Sequence, residues 1–579
     1  MTAGPEAGRE EGSGERREVI VVGAGPIGLV TALLLADAGV RTVLVEKETE
    51  PGDLPRAISL QDESFRTLEQ LGVADALKAE SLLDTGSRYF GLGDRLLLEA
   101  KPVASRLGHP AKTQFDQPIL ERLLWERAAG HERLEFLPGA EATAIDQDAD
   151  GVRVTVTVPV RVPVPGPRPR PGHTDGAADG RESRTLTADW LVGADGGRSF
   201  VRRTVGIDLV GTTQPQRWIV VDLLDEPPGR EPFAEFHGDG KRPYVLVPGV
   251  KGRLRIEFML FDDEDPEEMT TPERIHELIV PRFRARLKPG DVRRAVVYVA
   301  HQRVARSYRA GRVFLVGDAA HLMPPFAGQG LNAGIRDAAN LVWKLIEALH
   351  GRATERLLDS YQVERRAHGA AMVTVSRRIG AVVMATHPAL TRLRDATVRV
   401  VGLVPRVRAY LAGMRFISPP DHSAGVAVPA RGVVLDGVAV GRALSQPTVR
   451  DATGAERGLD AHLGRGWTLL QIGGGPAAAV DPYWDAVGAV RLQLSAPGAE
   501  PGEGRVTEVA AMLTAGCGSG SGSGPGSGSG PGSGSGSGPV FVAVRPDRYV
   551  AAVFDLTEEA RVVEHLRSFV DDRRRGVAA

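Results

Sequence analysis

A stretch in the second half of the chain combines an acidic turn with a glycine-rich helix start. It reads GDAAHLMPPFAGQGLN over residues 317–332 and follows an apolar segment, residues 312–316, that predicts a strand. Asp318, just after that strand, is placed to accept hydrogen bonds from sugar-like hydroxyl groups. Apolar residues then recur at helical spacing, so the amides of residues 328–332 should open a helix. Because a helix N-terminus favours negative charge, the stretch predicts a site for a polyol joined to an anion-like group.

A second nucleotide-binding pattern lies near the N-terminus. Residues 19–22 predict a buried strand, GAGPIG follows at residues 23–28, and residues 29–38 predict an apolar helix. The first glycine of such a pattern permits a tight turn, the second lets the backbone approach a pyrophosphate, and the third allows close helix packing. These roles fall on Gly23, Gly25 and Gly28.

Two acidic residues extend this pattern. A second predicted strand, residues 41–45, is followed by Glu46, which is placed to accept hydrogen bonds from ribose hydroxyls. The order of strand, glycines, helix and acid predicts dinucleotide binding. A third apolar segment, residues 190–194, leads into Asp195 and a helix start at residues 200–203. For Asp195, a ligand contact and an ordinary Asx turn at the end of a strand are both open.

These three segments, in this order, resemble the FAD-dependent aromatic hydroxylases, which are single-component flavoprotein monooxygenases. The shared marks are the N-terminal GxGxxG, the central Asp-Gly motif and the late Gly-Asp motif. Within that family the chain looks most like the 3-(3-hydroxyphenyl)propionate hydroxylases. This closer likeness rests on residues 55–58, 199–203, 218–222, 242–244, 257–259, 361–366, 414–416 and 545–551.

The resemblance implies an α/β fold with a Rossmann-type FAD-binding domain, an inserted mixed-sheet substrate domain, a helical segment and a thioredoxin-like C-terminal domain. The C-terminal domain lacks a CxxC pair, so we expect it to support packing or dimer formation. Gly/Ser/Pro-rich composition predicts a surface loop and a flexible linker. The expected division is a disordered tail at 1–17; the FAD-binding domain at 18–85, 110–205 and 300–375; the substrate sheet at 86–109 and 206–299; a surface loop at 159–183; a helical connector at 376–428; and the C-terminal domain at 429–579 with a flexible loop at 516–539.

The resemblance also implies a reaction and its cofactors. FAD would be bound without a covalent link, NADPH or NADH would reduce it, and a C4a-hydroperoxyflavin formed with O2 would hydroxylate a small aromatic substrate. Arg56 would lie along the FAD. No metal is expected. The residues expected at the FAD are Gly23, Ala24, Gly25, Pro26, Ile27, Gly28, Glu46, Lys47, Arg56, Gln117, Asp195, Gly317, Asp318, Pro325, Gly328, Gly330, Leu331 and Asn332.

The predicted strands of the middle region supply candidate residues for the substrate pocket. Trp218, Phe236, His237 and Tyr244 are candidates for its aromatic wall, with ordinary core packing as the alternative for each. His321, close to the Gly-Asp turn, either contacts the flavin or substrate or makes a structural hydrogen bond.

Gln61 is a departure from the family pattern. The subgroup carries two consecutive aspartates in this segment, whereas this chain reads Gln61-Asp62. A glutamine cannot take a proton from a phenolic hydroxyl, although such a base would assist hydroxylation. Another group therefore takes the proton, or the substrate is more activated, or it is not a simple phenol. Gln61 also has an alternative role in packing at the start of a predicted helix, residues 62–71.

Composition sets the cellular context. The formal net charge of −2 over 579 residues argues against a nucleic-acid partner, which would require a clustered basic face. Cys517 is the only cysteine, so an intramolecular disulfide is impossible. No apolar segment approaches the length of a membrane span, and the first 17 residues lack the apolar core of a signal peptide. We expect a cytoplasmic enzyme without a membrane partner, and leave homodimer formation open.

Other functional classes remain open from the sequence. A flavoprotein oxidase, N-hydroxylase or Baeyer–Villiger enzyme would share the FAD motifs. A halogenase is disfavoured because its WxWxIP signature is absent. A non-catalytic FAD-binding protein would use its C-terminal domain for partner contacts.

Overall fold

The structure is a computed structural model that describes most of the chain. It describes residues 17–159, 181–224, 229–283, 291–325, 328–383, 385–473, 480–514 and 539–573, with the backbone alone for 279–283. Residues 1–16 of the predicted N-terminal tail, most of the predicted surface loop and residues 516–538 of the predicted Gly/Ser loop lie outside these ranges. No helix within them is long and apolar enough to span a membrane.

The described residues form helices and strands, with runs of consecutive strands between helices in the first two thirds of the chain. The helices are α1 (Pro26–Asp37), α2 (Asp62–Gln70), α3 (Ala74–Ala79), α4 (Gln117–Ala129), α5 (Phe200–Thr204), α6 (Pro272–Phe283), α7 (Gly330–Leu349), α8 (Glu355–Val383), α9 (Pro388–Gly402), α10 (Pro405–Ala412), α11 (Tyr483–Ala486) and α12 (Glu559–Arg567). The strands are β1 (Val19–Val22), β2 (Thr42–Glu46), β3 (Ser59–Gln61), β4 (Gly86–Phe90), β5 (Leu96–Ala100), β6 (Lys112–Gln114), β7 (Leu134–Pro138), β8 (Glu141–Gln147), β9 (Val152–Pro159), β10 (Arg181–Ala188), β11 (Trp190–Gly193), β12 (Leu209–Leu223), β13 (Phe233–His237), β14 (Tyr244–Pro248), β15 (Leu254–Leu260), β16 (Val292–Ala305), β17 (Arg309–Ala310), β18 (Val313–Leu315), β19 (His321–Leu322), β20 (Thr448–Arg450), β21 (Glu456–Gly458), β22 (Thr468–Ile472), β23 (Val490–Ser495), β24 (Arg505–Glu508), β25 (Val540–Val544) and β26 (Val550–Phe554).

A six-stranded sheet forms the nucleotide-binding layer. Its order is β17-β18-β11-β1-β2-β7, and all pairs except β17–β18 are parallel. The segments expected to bind a dinucleotide supply β1, β11 and β18, which lie side by side. Their carboxyl ends therefore meet at one edge of the sheet, where open α/β sheets bind ligands. The Rossmann-type fold expected from the sequence is confirmed.

An eight-stranded sheet packs beside this layer, in the order β19-β16-β12-β15-β14-β13-β4-β5. Its two faces bury separate apolar clusters, one around Leu246 and Phe258 and the other around Val245 and Met259. A short ribbon of β3 and β6 connects this sheet to the nucleotide-binding layer.

The C-terminal region forms a seven-stranded sheet, in the order β21-β20-β24-β23-β22-β25-β26. Strands β24, β23 and β22 are parallel, β25 pairs antiparallel with β22, and β26 pairs antiparallel with β25. The thioredoxin-like assignment stays a prediction.

Three predicted boundaries differ from the structure. The expected loop at 159–183 is shorter, because Pro159 pairs with Arg181 and the β9–β10 ladder continues from there. The sequence pattern of β10 is weak because residues 181–185 are all polar and exposed, so they lack the alternation of polar and apolar residues that indicates a strand. The sequence also predicts one strand over residues 185–191, but in the structure this segment is divided at Asp189 between two sheets. Finally, α8 continues through the expected domain boundary at residues 375–376.

Candidate active site

A cavity of about 810 Å³ lies between the nucleotide-binding layer, the eight-stranded sheet and the C-terminal region. Residues separated by hundreds of positions in the sequence meet at its wall. The predicted site residues that line it are Gly25, Pro26, Ile27, Arg56, Gln61, Gln117, Phe236, Asp318, Pro325, Gly328, Gly330 and Leu331.

The glycine loop at the end of β1 has no room for side chains at two of its positions. Gly23 has φ +102°, and a Cβ there would lie 2.6 Å from the carbonyl oxygen of Ala194. A Cβ on Gly28 would lie 1.7 Å from the carbonyl oxygen of Gly23. Gly25, in contrast, faces open space at the cavity wall, immediately before α1. The loop thus leaves its backbone accessible at the position where a pyrophosphate would approach.

Glu46 holds this loop in place. Its carboxylate accepts hydrogen bonds from the amides of Ala24 at 2.5 Å and Glu48 at 2.9 Å. Glu46 is not part of the cavity wall in the described structure, so its predicted contact with a ribose stays a prediction. Lys47 is exposed and forms an ion pair with Glu48 at 3.7 Å.

Asp195 stabilises the turn after β11. Its carboxylate accepts hydrogen bonds from the hydroxyl of Ser199 and from the amide of Val201 at 3.0 Å. Ser199 in turn caps α5 by accepting from the amide of Arg202 at 2.9 Å. Burial raises the pKa of Asp195. These bonds correspond to the Asx-turn alternative, while the neighbouring Ala194 and Gly196 line the cavity.

Asp318 is the acidic group that faces the cavity from the nucleotide-binding layer. It follows Gly317, whose φ of +59° turns the chain at the end of β18. The carboxylate lies at the wall of the cavity, with protein around it, and a ligand in the cavity can reach it. Burial raises its pKa, and the nearby charges of His321 and Arg56 partly oppose that change. An accessible, poorly solvated carboxylate is suited to accept hydrogen bonds from a polyol.

His321 has a structural role. It is fully buried, and its Nε2 lies 2.7 Å from an oxygen of Asp337. Asp337 also accepts hydrogen bonds from Arg365 at 2.8 Å and from the amide of Gly317 at 3.1 Å. The structure thus supports the structural alternative for His321, because the buried network fixes the turn that carries Asp318.

Asn332 and Gln117 hold the loops around the cavity. The Oδ1 of Asn332 accepts from the amide of Gln61 at 2.9 Å, and its Nδ2 donates to the carbonyl of Gly328 at 2.8 Å. Asn332 therefore ties the start of α2 to the start of α7. Gln117 lines the cavity and accepts from the amide of Ala57 at 2.6 Å, which orients the loop of Arg56.

The candidate aromatic residues divide between the two faces of the eight-stranded sheet. Phe236 lines the cavity and stacks on Tyr89, with a ring-centroid distance of 5.0 Å. His237, the next residue, lies on the other face and stacks between Phe90 at 4.3 Å and Tyr244 at 4.2 Å.

His237 and Tyr244 thus belong to the core in the described structure, because successive side chains of a strand alternate between faces. Trp218 is fully buried in the layer behind the cavity wall, packed with Val245 and Met259. Of the candidate aromatic residues, Phe236 is the one that reaches the cavity.

Comparison with known proteins identifies the family. Residues 16–376 match the family described as FAD binding domain. The 3-(3-hydroxy-phenyl)propionate/3-hydroxycinnamic acid hydroxylase of Mycolicibacterium smegmatis is 37% identical over 476 residues, which cover 82% of this chain and 80% of that protein. The corresponding hydroxylase 2 of Burkholderia vietnamiensis is 34% identical over 569 residues, which cover 96% and 97% of the two chains. The chain is an FAD-dependent aromatic hydroxylase.

A solved structure extends the likeness to the whole fold of the hydroxylase. OxyS, an anhydrotetracycline hydroxylase from Streptomyces rimosus, superposes with a TM-score of 0.68 at 26% identity, over 96% of this chain and 99% of that one. The protein is therefore a monooxygenase that uses FAD, NAD(P)H and O2.

The residues around the cavity of the hydroxylase fit FAD. The open backbone at Gly25, the N-terminus of α7 at Gly330 and the accessible carboxylate of Asp318 supply donors, a favourable dipole and an acceptor around one cavity. The described residues contain no group of His, Cys, Asp and Glu side chains that could hold a metal ion.

Several residues at the cavity of the hydroxylase were not singled out from the sequence. The side chains of Ser87 and Tyr89 on β4, Lys112 on β6 and Glu257 on β15 line it. Of these three strands only β15 alternates polar and apolar residues, over Leu254–Phe258, so the alternation could have indicated a face for Glu257 alone. It could not have indicated that this face bounds a cavity.

Tyr549 from the C-terminal region also reaches the cavity of the hydroxylase. Its hydroxyl donates to the carboxylate of Glu63, which accepts from the Nε of Arg336 at 2.5 Å. Arg336 then donates to the Oε1 of Gln61 at 2.7 Å. Burial alone would raise the pKa of Glu63, but Arg336 and Tyr549 hold it below its usual value. The C-terminal region thus helps to position Gln61.

Replacing Arg56 with alanine should weaken FAD binding or uncouple NAD(P)H oxidation from hydroxylation. Arg56 lines the cavity and lies near enough to lower the pKa of Asp318, so its charge reaches the part of the cavity where we expect FAD. FAD affinity and the ratio of product to oxidised NAD(P)H are the measurements. Arg95→Ala, at an exposed position, is the control. If both quantities keep their wild-type values, Arg56 does not contact FAD and contributes only as a surface charge, at most about 1 kcal/mol.

Proposed function

We propose that this hydroxylase acts on a phenolic ring, and that a small phenolic acid is its substrate class. The observation that carries the proposal is the cavity wall around the stacked rings of Phe236 and Tyr89. Apolar side chains of Val245 and Val247 continue this wall, while Gln61 and Lys112 place polar atoms beside it. Such a surface accommodates a flat ring that carries a hydroxyl group.

The carboxylate of the substrate has candidate partners at another part of the cavity. Arg106 and Arg415 line the cavity and are exposed, so they lie toward its solvent side. Guanidinium groups bind carboxylates in a paired geometry. The names of the hydroxylases from Mycolicibacterium smegmatis and Burkholderia vietnamiensis agree with an acid of this kind.

The protein groups orient the ring and exclude water. FAD, when bound, supplies the chemistry of NAD(P)H oxidation and O2 activation. Phe236, Tyr89 and the two valines hold the ring and leave little space for water beside it. The polar groups at Gln61 and Lys112 are available to the ring hydroxyl, whose ionisation makes the ring more electron-rich.

A substrate screen tests this proposal. The purified hydroxylase should oxidise NAD(P)H faster with 3-(3-hydroxyphenyl)propionate or 3-hydroxycinnamate, and mass spectrometry should show one added oxygen atom. 3-Phenylpropionate is the matched control because it lacks the ring hydroxyl. Hydroxylation of a polycyclic phenol such as anhydrotetracycline, without turnover of the phenolic acids, would contradict the proposed substrate class. The cytoplasmic location and the homodimer stay predictions.

A further inference from the structure

A lysine reaches the cavity directly across from Gln61. Lys112 on β6 is the register partner of Gln61 on β3, so the two side chains lie on the same face of the ribbon. Both line the cavity. Among the described residues, the Nζ of Lys112 donates to the carbonyl of Gly86 at 3.0 Å and to the hydroxyl of Ser87 at 2.7 Å. An ammonium has three hydrogens, so one further hydrogen, or a lone pair in the neutral amine, remains for a ligand.

The charge on Lys112 is not compensated by an acidic side chain of the described residues. Burial lowers its pKa to about 8, and no neighbouring carboxylate opposes that change. The other titratable or charged groups along the cavity lie on α2, α7, β4 and β15, in the loops around Arg56 and Arg106, in the segment at residues 413–420, in the turn after β18 and just before β26. They are Asp62, Glu63, Arg336, Tyr89, Arg255, Glu257, Arg56, Arg106, Arg415, Asp318 and Tyr549.

The carboxylates of α2 and β15 that line the cavity already accept hydrogen bonds from other protein groups. Glu63 is bound by Arg336 and Tyr549, and Asp62 accepts from the hydroxyl of Ser105 at 2.6 Å. Glu257 accepts from the hydroxyl of Tyr298 at 3.1 Å, and burial raises its pKa, so Glu257 is the competing base that the test must separate from Lys112. Lys112 instead carries an ammonium charge that no carboxylate of the described residues compensates. An oxyanion of the substrate would neutralise that charge.

We propose that Lys112 binds the ring hydroxyl of the substrate as a phenolate and takes its proton when the amine is neutral. In that step the phenolic O–H bond breaks, the proton moves to Nζ, and an ammonium–phenolate pair remains, with no change of oxidation state. Gln61, across the ribbon, cannot accept a proton and is held by Arg336. This inference rests on the proposed function, since it requires a phenolic substrate.

The pH determines where the proton goes. Above the pKa of Lys112, about 8, the free amine accepts it directly. Below that pH the ammonium is already present, and the proton of the phenol is released to solvent while the same ion pair forms. Opposite charge within a few ångströms lowers the pKa of an acid by about 1–3 units, so the bound phenol should ionise at lower pH than the free phenol.

A chromophoric phenol measures this ionisation without turnover. We would bind 4-nitrophenol to the FAD-loaded enzyme in the absence of NAD(P)H and follow the phenolate by difference absorbance against pH. In the wild type the pKa of the bound probe should be lower than that of the free probe. Lys112→Met should raise it by about one pKa unit or more, a tenfold change in the ionisation constant. Lys251→Met, at an exposed position, should leave it unchanged.

Three comparisons keep the inference separable from its alternatives. The inference is overturned if the bound probe has the same pKa in the wild type and in Lys112→Met. It is also overturned if Glu257→Gln loses the wild-type lowering of the probe's pKa while Lys112→Met retains it. Lys112→Met weakening the binding of 3-phenylpropionate as much as that of the phenol would also overturn it, because Lys112 would then hold the carboxylate.

If Lys112→Met lacks FAD or does not fold, Lys112→Gln provides the same test with a polar side chain. Failure of the proposed function looks different, since the wild type would then hydroxylate no phenolic acid at all.

Discussion

Asp318→Ala should purify with little or no FAD. The carboxylate of Asp318 is the acidic acceptor that the nucleotide-binding layer presents to the cavity, and the buried network of His321, Asp337 and Arg365 fixes the turn that carries it. Hydrogen bonds to a charged group contribute about 1.5–3 kcal/mol each, so losing one should raise the Kd for FAD by roughly 10- to 150-fold.

The measurement is the ratio of flavin to protein after purification, followed by titration of the apoprotein with FAD. Asp318→Asn, which retains one carbonyl acceptor, should lie between the wild type and the alanine variant. Asp262→Ala, at an exposed position in a turn of the same chain, should retain the full flavin content. An Asp318→Ala protein with wild-type Kd would show that the polyol binds elsewhere. FAD should also be released from the wild type by acid precipitation, since we expect no covalent link.

Glu364→Gln should lower the stability of the protein more than any surface substitution. Glu364 on α8 is fully buried and accepts hydrogen bonds from Arg545 at 2.7 and 2.9 Å and from Lys344 at 2.9 Å. It also accepts from the amide of Val426 at 2.8 Å, so one carboxylate joins α7, α8 and the C-terminal sheet. Removing its charge leaves the buried Lys344 without a carboxylate in an ion pair among the described residues, and leaves Arg545 with Asp547 alone. Breaking a buried ion pair costs roughly 3–5 kcal/mol.

The thermal midpoint Tm and limited proteolysis measure this effect. Glu355→Gln is the matched control, because Glu355 lies on the same helix and pairs with Arg309 at 2.8 Å but is 77% exposed. An exposed pair contributes about 0–1 kcal/mol, so the control should keep a Tm close to that of the wild type. Equal losses in the two variants would contradict a special role for the buried network.

The charge of Glu364 also predicts how stability depends on pH. Burial alone would raise its pKa, but Arg545 and Lys344 outweigh burial and hold the pKa well below its usual value. A carboxyl with a lowered pKa in the folded state contributes its full stability above the unfolded pKa of about 4.3. That contribution is lost as the pH falls through the lowered pKa. The difference in Tm between wild type and Glu364→Gln should therefore shrink in acid.

The sequence by itself determined the nucleotide-binding half of the protein. The turn at Gly23, the strand before it and the helix after it follow from local constraints, because a positive φ is a property of a single position and favours glycine there. The same holds for the turn at Gly317 and Asp318. Helical spacing of apolar residues also predicted α7, which begins at Gly330 within the expected opening at residues 328–332.

The tertiary structure alone decided what surrounds the substrate. Strand periodicity shows that Phe236 and His237 face opposite sides, but it cannot show which side bounds the cavity. The pairing of Lys112 with Gln61 and the bond from Tyr549 to Glu63 join residues far apart in the sequence. Such contacts depend on how complete sheets pack against one another, and a single sequence carries no local signal for that packing.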